Sequence, residues 1–248
     1  MHRIASAAVV ALGLALVAPG SSGAATSSSC PTPPKVDADN FNRPGGDSGA
    51  NVANPYFPLT PGKTYVYRGK EDDHPTEDRF AVTDKTKSFT IGGGTIKARE
   101  VHDQVFTNNK LTEDTFDWFA QDDDGTVWYF GEDTKELEDG QVVSTEGSWE
   151  AGVKGANAGI FMEANPKVGD KYKQEDAKGV AEDCAEILST TASVKVPYGS
   201  FNDAVQTKEF SLLEPGVEDN KWYAKGIGEV REETVKGGND FLELVSIK

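Results

Sequence analysis

The sequence predicts an all-β protein made of two tandem antiparallel units, and two observations lead to this prediction. Segments rich in β-branched and aromatic residues recur along the chain, separated by turns rich in Gly, Asn and Asp. A series of short motifs in residues 58–127 also returns, in the same order, in residues 166–230. We therefore expect two meanders that form either a sandwich or one continuous curved sheet.

The internal duplication is visible in six pairs of motifs, whose offset drifts from about 107 to about 103 residues as small loop deletions would cause. The pairs are Pro58–Tyr65 with Pro166–Tyr172, Glu77-Asp78 with Glu182-Asp183, Gly94–Ile96 with Gly199–Phe201, Glu113-Asp114 with Glu218-Asp219, Trp118–Ala120 with Trp222–Ala224, and Gly125–Val127 with Gly228–Val230. Because each match is short, coincidence is the alternative. The duplication predicts related architecture in the two halves and identifies no reaction.

Strands of the first half are predicted at residues 64–67, 80–83, 88–91, 96–106, 115–120 and 126–130. The turns between them are too short for a parallel crossover, so the strands must run antiparallel. The last two segments carry large apolar side chains on both faces of each strand. We therefore expect this hairpin to be central in the sheet or to contact a ligand with one face.

The chain divides into five predicted segments. Residues 1–25 have a basic start, an apolar stretch and small residues at their end, the pattern of a secretory signal peptide. Residues 26–53 are rich in Ser, Pro and Gly and predict a flexible or surface-wrapped leader. The remaining segments are a first β unit at 54–150, a Gly- and Ala-rich connector at 151–165, and a second β unit at 166–248.

The chain is strongly acidic, with a formal net charge of −16 at pH 7 from 25 basic and 41 acidic side chains. This charge repels nucleic-acid phosphates and anionic membrane surfaces, so neither is an expected partner. The acidic run at residues 132–140 predicts a solvated edge hairpin. No segment after the signal peptide predicts a transmembrane span. We expect a soluble monomer that is secreted, extracellular or associated with the cell wall.

The two cysteines, Cys30 and Cys184, predict one disulfide, because an oxidising exterior favours pairing of two thiols. The bond would pin the leader to the second unit. Lipidation of Cys30 is the alternative. It is disfavoured because residues 27–29 are all serine and lack the apolar residue that lipidation signals carry before the cysteine.

The sequence contains few residues typical of catalysis. After signal removal the histidines are His74, in an acidic loop, and His102, on a predicted strand. Gly-x-Ser-x-Gly, His-Glu-x-x-His, P-loop and dinucleotide-binding motifs are absent from the sequence. A carboxylate-based hydrolase stays an alternative, because 41 acidic residues make some suitably spaced pair unavoidable.

The acidic turn at residues 122–125 has two interpretations. Asp and Gly are the residues that a hairpin turn requires. Calcium also prefers carboxylate and carbonyl oxygens, so a candidate calcium site is formed by Asp122, Asp124, Glu132 and Asp133. No other cofactor is predicted.

The aromatic hairpin offers a candidate ligand-binding surface formed by Trp118, Trp128, Tyr129 and Phe130. The alternative is that these rings pack in the core between strands. The duplication favours core packing for Trp118, because Trp222 occupies the matching position and equivalent positions of a repeat serve equivalent packing.

Residues 56–67 and 222–230 resemble the opening and closing signatures of a group of exported bacterial β-sheet domains without assigned activity. Residues 114–134 resemble secreted proteins of high-GC Gram-positive bacteria. The resemblance covers most of the mature chain and implies a curved antiparallel sheet, such as the half-barrel of LolA-like lipoprotein carriers. It implies no functional residue, and the many acidic side chains argue against the apolar concave face that a lipid carrier needs.

The sequence therefore favours a secreted, non-catalytic binding protein or a component associated with the cell envelope. Its ligand or cell-wall partner is not identified by any motif. A calcium-stabilised extracellular structural protein and a carboxylate-based hydrolase are the alternatives.

Overall fold

The structure, a computed structural model, describes residues 30–42 and 49–248. The predicted signal peptide and the first residues of the leader lie outside the described residues. In the described parts, a 3₁₀ helix at Ala38–Phe41 precedes the strands, and none of the helices there has the length and hydropathy that a bilayer crossing requires. The strands are β1 Ala53–Asn54, β2 Phe57–Pro58, β3 Thr64–Glu71, β4 His74–Ile91, β5 Gly94–Thr107, β6 Lys110–Gln121, β7 Val127–Glu138, β8 Gln141–Ser144, β9 Trp149–Glu150, β10 Asn157–Met162, β11 Lys171–Lys173, β12 Glu175–Asp176, β13 Asp183–Val196, β14 Gly199–Ser211, β15 Glu218–Ala224, β16 Gly228–Lys236 and β17 Phe241–Ile247.

Fifteen of the described strands join into one antiparallel sheet, and β1 and β2 pair separately. The order along the sheet is β11-β13-β14-β15-β16-β17-β3-β4-β5-β6-β7-β10-β12, with β8 and β9 pairing on β7. The sheet curls until it is nearly closed, so the predicted all-β class and the curved sheet are confirmed. The predicted strands at 80–83 and 88–91 are both parts of β4, whose pairing with β5 shifts register between Val82 and Thr86.

The two ends of the sheet meet along a seam formed by residues 171–176, where β11 pairs with β13 and β12 pairs with β10. Between β11 and β12, Gln174 N donates to Asp183 O at 2.7 Å, which continues the β11–β13 pairing. β10 lies within the predicted connector at 151–165 and pairs with β7, so this segment belongs to the sheet. The seam brings the sheet edges together, which leaves fewer backbone groups open to strand addition by another chain.

The two halves of the sheet are joined by the pairing of β17 with β3. Lys248 and Thr64 extend this pairing by exchanging backbone hydrogen bonds of 2.9 and 3.0 Å. At Gly69 a Cβ atom would collide with the backbone of Phe241. Glycine at this position therefore permits the close approach of the two strands.

The six pairs of matched motifs lie on strands that follow one another in the same order. β3, β4, β5, β6 and β7 carry the first set, and β11, β13, β14, β15 and β16 carry the second. Within each half, consecutive members of these series are antiparallel neighbours. The duplication itself stays a prediction about the origin of the chain.

The β6–β7 hairpin is buried on both faces, which accounts for its doubly apolar sequence. On the inner face Phe119 stacks on Tyr129 with ring centroids 4.7 Å apart. On the outer face Phe41 packs edge-on against Trp128 and Phe130, at 6.4 and 6.0 Å. Because adjacent residues of a strand point to opposite faces, the described part of the leader covers the outer face of the hairpin.

The acidic run at residues 132–140 is not a solvated edge hairpin throughout, and that part of the prediction is wrong. The run continues β7, where the alternate residues Glu132, Thr134 and Glu136 are buried. The exposed residues of the run are Asp133, which points away from the interior, and the turn into β8 at residues 138–140. Because side chains alternate along a strand, half of a charged run can face the interior.

Cys30 and Cys184 form a disulfide, as predicted, with Cα atoms 5.9 Å apart. Cys184 is fully buried on β13, and the pair packs against Phe210 and Leu212. The bond ties the leader to the second half of the sheet and occupies the thiol that lipidation of Cys30 would need. A disulfide is typical of proteins that fold in an oxidising compartment.

We expect the double variant Cys30→Ser, Cys184→Ser to lose about 4–5 kcal/mol of unfolding free energy, because the bond closes a long loop in the unfolded chain. Urea denaturation of the purified protein measures this loss. Dithiothreitol should lower the wild-type midpoint to that of the variant and leave the variant unchanged. Equal midpoints for the oxidised wild type and the variant would contradict a stabilising bond.

Candidate functional site

A pocket lies on the inner face of the curved sheet, where residues of both halves converge. Its empty volume is about 630 Å³ when the solvent at its mouth is included. This volume is within the usual range of small-molecule sites.

One part of the pocket wall is aromatic. The ring centroid of Phe57 lies 4.3 Å from that of Phe161, 5.1 Å from that of Phe119 and 6.1 Å from that of Phe80. These separations are typical of packed aromatic pairs. Ile227, in the turn between β15 and β16, also lines this part of the pocket. The aromatic wall can therefore bury the apolar portion of a ligand.

Phe57 reaches the pocket because the β1–β2 hairpin is anchored to the sheet. The buried side chain of Asn54 donates from Nδ2 to Gly125 O at 2.9 Å and to Glu163 O at 3.1 Å. Its Oδ1 accepts from Tyr56 N at 2.9 Å. Since these bonds fix the hairpin, the aromatic wall is positioned before any ligand arrives.

The rest of the lining is rich in carboxylates. Asp78 lies opposite Tyr67 across β4 and β3, and Asp103 lies opposite Phe80 across β5 and β4. Directly opposed residues share one face of a sheet, so these acids face the pocket together with the rings. The five lining acids are Asp78, Asp103, Asp117, Glu229 and Glu232.

Lys221 is the single cation among the described residues that line the pocket. Its Nζ lies 3.4 Å from a carboxylate oxygen of Glu232 and 3.7 Å from one each of Glu209 and Glu229. The lysine side chain is 5% exposed, so this interaction is screened little by solvent. One ammonium group therefore accompanies five lining carboxylates.

Tyr67 lies in the pocket wall as a neutral hydrogen-bond donor. Burial, followed by the negative charges of Glu229, Asp78 and other neighbours, raises the pKa of Tyr67 well above its usual range. The hydroxyl group donates to the backbone oxygen of Glu229 at 3.0 Å. Burial and nearby negative charges both oppose formation of a phenolate.

Acidic side chains are also buried between the pocket and the seam. Burial and the charge of Asp117 raise the pKa of Glu132 well above its ordinary value. Burial and the charge of Asp183 do the same to the pKa of Glu175, although Trp149 Nε1 donates to that carboxyl at 3.2 Å. These shifts favour the protonated form of both glutamates, since burial penalises the charged one.

The four aromatic residues predicted to bind a ligand do not line this pocket. Tyr129 faces the interior, where its hydroxyl donates to Asp117 Oδ1 at 2.6 Å. Trp118, Trp128 and Phe130 lie on the outer face, and each is at most 7% exposed. Core packing accounts for these positions, and a ligand-binding role for them stays a prediction.

The four predicted calcium ligands do not come together. Asp122 accepts from Gly125 N and Thr126 N through Oδ1 and from Trp128 Nε1 through Oδ2, each at 2.9 Å. Glu132 is buried on the inner face, whereas its neighbour Asp133 is exposed and pairs with Lys135 at 3.2 Å, and Asp124 is exposed in the turn. Among the described residues, no group of three or more His, Cys, Asp or Glu side chains is placed to hold a metal ion. Calcium binding stays a prediction.

The two histidines among the described residues lie outside the pocket. His74 is exposed at the start of β4. His102 Nε2 lies 2.7 Å from Asp114 Oδ1, and its ring stacks on Phe116 with centroids 4.4 Å apart. Burial opposes ionisation of Asp114, but hydrogen bonds from His102 and Gln104 outweigh it and lower the pKa of this carboxyl.

Two solved structures are similar to this chain. No protein-family model matches the chain, and a search of curated proteins finds no significant match. A candidate exported protein of Bacteroides fragilis, described as having a YmcC-like fold, is similar over 79% of this chain and 100% of its own, with 16% identity and a TM-score of 0.45. A candidate lipoprotein of Parabacteroides distasonis is similar over 79% of this chain and 99% of its own, with 14% identity and a TM-score of 0.43. At such scores neither supports an inference about function. Both come from Bacteroidetes, so they give no support to a resemblance with high-GC Gram-positive proteins.

Sequence reasoning missed the residues that build the pocket. Phe57 and Phe161 lie on short strands in segments that predicted no regular structure or a connector. The buried acids did leave a signal, since Asp103 lies between Val101 and Val105 on one face of β5 and Asp117 lies between Phe116 and Trp118 in β6. That pattern is typical of a strand with a polar but enclosed inner face.

The variants Asp122→Ala and Asp124→Ala separate the turn interpretation from the calcium interpretation. We expect Asp122→Ala to lose about 2–3 kcal/mol of unfolding free energy, because it leaves buried donors without an acceptor. Asp124→Ala should change stability by less than about 0.5 kcal/mol, since its side chain is exposed. Thermal melts in excess calcium and in chelator should coincide for the wild type. A rise in melting temperature with calcium that Asp124→Ala abolishes would favour the metal site.

Asp219 makes stability depend on pH. Burial, followed by the charge of Glu232, raises the pKa of Asp219 to about 7. In the unfolded chain an aspartate ionises near pH 4, so between about pH 4 and 7 the folded state binds more protons and stability falls as pH rises. We expect Asp219→Asn to remove this pH-dependent loss of unfolding free energy, which amounts to up to about 4 kcal/mol.

Melting temperatures of the wild type and Asp219→Asn between pH 4 and pH 8 measure this effect. The variant should melt at a higher temperature at pH 8, by about 2–4 °C for each kcal/mol recovered, and at a similar temperature near pH 4. Asp133→Asn, on an exposed side chain, is the control and should follow the wild type. Parallel pH profiles for the wild type and Asp219→Asn would contradict the raised pKa.

Proposed function

We propose that the protein is an exported, non-catalytic binding protein that takes a small ligand into the pocket on the inner face of its sheet. The observation that carries this proposal is the pocket itself, in which an aromatic wall and a set of polar groups converge from both halves of the chain. A concave, largely apolar cavity with few convergent polar groups is the usual form of a small-molecule site. The predicted signal peptide and the disulfide between Cys30 and Cys184 support an extracellular or envelope location.

The alternative of a carboxylate-based hydrolase draws on the same lining acids. Hydrolysis of a glycosidic bond needs two carboxyl groups that flank the bond, about 5–5.5 Å apart in retaining enzymes and about 6.5–9.5 Å apart in inverting ones. Two of the lining acids, Glu229 and Glu232, lie within 4 Å of Lys221 Nζ, which favours binding over acid–base catalysis. Release of reducing sugar from glycan substrates by the purified protein would favour the hydrolase instead.

A variant that fills the pocket tests the proposed site. Ile227 lines the pocket and is half-buried, so Ile227→Trp should place an indole ring where a ligand would lie. A library of small aromatic and aliphatic amines, alcohols and acids is screened by thermal shift. A compound at about 100 times its Kd should stabilise the wild type by about 2.7 kcal/mol.

We expect compounds that stabilise the wild type to have no effect on Ile227→Trp. Val153→Trp is the matched control, because Val153 is 50% exposed and lies outside the pocket lining. It should keep the wild-type response. Compounds that stabilise Ile227→Trp as strongly as the wild type would place the binding site elsewhere, and a library without any hit would count against a small-molecule binding protein.

A further inference from the structure

The charge balance of the pocket favours a ligand of one sign. Five carboxylates and one ammonium group line it. Of the five acids, Asp78, Asp103 and Asp117 are each no more than 6% exposed. Taking carboxylates out of water is costly unless positive charge or hydrogen-bond donors compensate. A cation that enters this space gains attraction that water screens little, whereas an anion meets repulsion.

Lys221 shows how this lining holds an ammonium group. Its Nζ lies 3.4–3.7 Å from an oxygen of each of three carboxyl groups. These acids, Glu209, Glu229 and Glu232, all belong to the second half of the chain. Asp78, Asp103 and Asp117 belong to the first half, so both halves contribute acids to the interior around the pocket.

The aromatic wall adds two interactions that suit an organic cation. The faces of aromatic rings attract cations, and the attraction increases when both groups are removed from water. Phe57, Phe119 and Phe161 form a packed cluster that can cover an apolar body. Tyr67 and Phe80 lie beside the acids on β4 and β5. Rings and carboxylates are therefore adjacent in one enclosed space.

We propose that the pocket binds a small organic cation, with its ammonium group at the carboxylates and its aromatic or short aliphatic body on the aromatic wall. This inference rests on the proposed function and adds the chemical class of the ligand. A metal ion fits less well, because it would make no use of the rings and because no described group of three acids is placed to coordinate one.

Three probes of similar shape and different charge test the class of ligand. They are benzylamine, benzyl alcohol and phenylacetate, titrated into the purified protein at pH 7 and low salt by isothermal titration calorimetry. We expect benzylamine to bind at least about tenfold more tightly than benzyl alcohol, because charge-assisted contacts are the stronger ones. Phenylacetate should bind most weakly of the three.

Two isosteric variants locate the interaction. Asp103→Asn and Glu229→Gln each remove one negative charge from the lining without changing its shape, and circular dichroism checks that each folds. Glu229 is 18% exposed in its side chain, so its variant carries little risk to the core. Each should raise the Kd for benzylamine by about fivefold or more and leave the Kd for benzyl alcohol unchanged. Asp133→Asn, an exposed acid on β7, is the control and should leave all three affinities unchanged.

The outcomes separate this inference from the proposed function. Equal binding of benzylamine and benzyl alcohol that is lost in Ile227→Trp would overturn the cationic class and leave the pocket as a binding site. A preference for benzylamine that survives in both Asp103→Asn and Glu229→Gln would place the cation elsewhere and overturn the inference. Absence of binding by all three probes would also overturn it, while library hits of another class that are lost in Ile227→Trp would still support the proposed function.

Discussion

The pairing of β17 with β3 is the constraint on which the interior of this protein depends. It joins the two meanders into one sheet that curls back on itself. The pocket draws Tyr65 and Tyr67 from β3 and Lys221 from β15, which lie on the two sides of this joint. Because Gly69 lets the strand backbones approach closely, the joint depends on backbone geometry as well as on side-chain packing.

Closing the sheet encloses acidic side chains on its inner face, and these side chains give the pocket its excess of acids over bases. Strand side chains alternate between the two faces, so polar residues on the inner face become enclosed when the sheet curls. The protein compensates in several ways: Lys221 lies near three acids, Tyr129 and Tyr223 donate to Asp117 and Glu209, and burial shifts several carboxyls toward the protonated form. The lining still carries more acids than bases, so its potential is negative.

On the outer face of the sheet, large apolar side chains are covered by the leader. Trp128 and Phe130 of β7 lie there, and Phe41 of the leader packs on both rings. Backbone bonds from Ala38 N to Gly92 O and from Asp123 N to Asn40 O hold the leader in place. The disulfide at Cys30 ties the start of this segment to β13. A segment with little to bury by itself is thus ordered by the surface that it covers.

The sequence by itself determined the strand content, the antiparallel connections and the pairing of Cys30 with Cys184. These follow from local patterns, since β-branched and aromatic runs, short turns and two cysteines in an oxidising exterior each constrain the chain without reference to distant contacts. The doubly apolar sequence of the β6–β7 hairpin left a central position and contact with a ligand open. The structure buries its aromatic residues on both faces, a packing role that the sequence could not distinguish from ligand binding.

Only the tertiary structure decided which face of each strand is enclosed and where the pocket lies. A period of two marks alternate positions but does not say which set faces the interior when both sets are buried, as at Trp128 and Tyr129. Phe57 and Phe161 reach the pocket from short strands whose sequences carry no strong strand signal. Their positions, and the convergence of acids from both halves, depend on the curling of the sheet, which is set by long-range pairing that no local pattern contains.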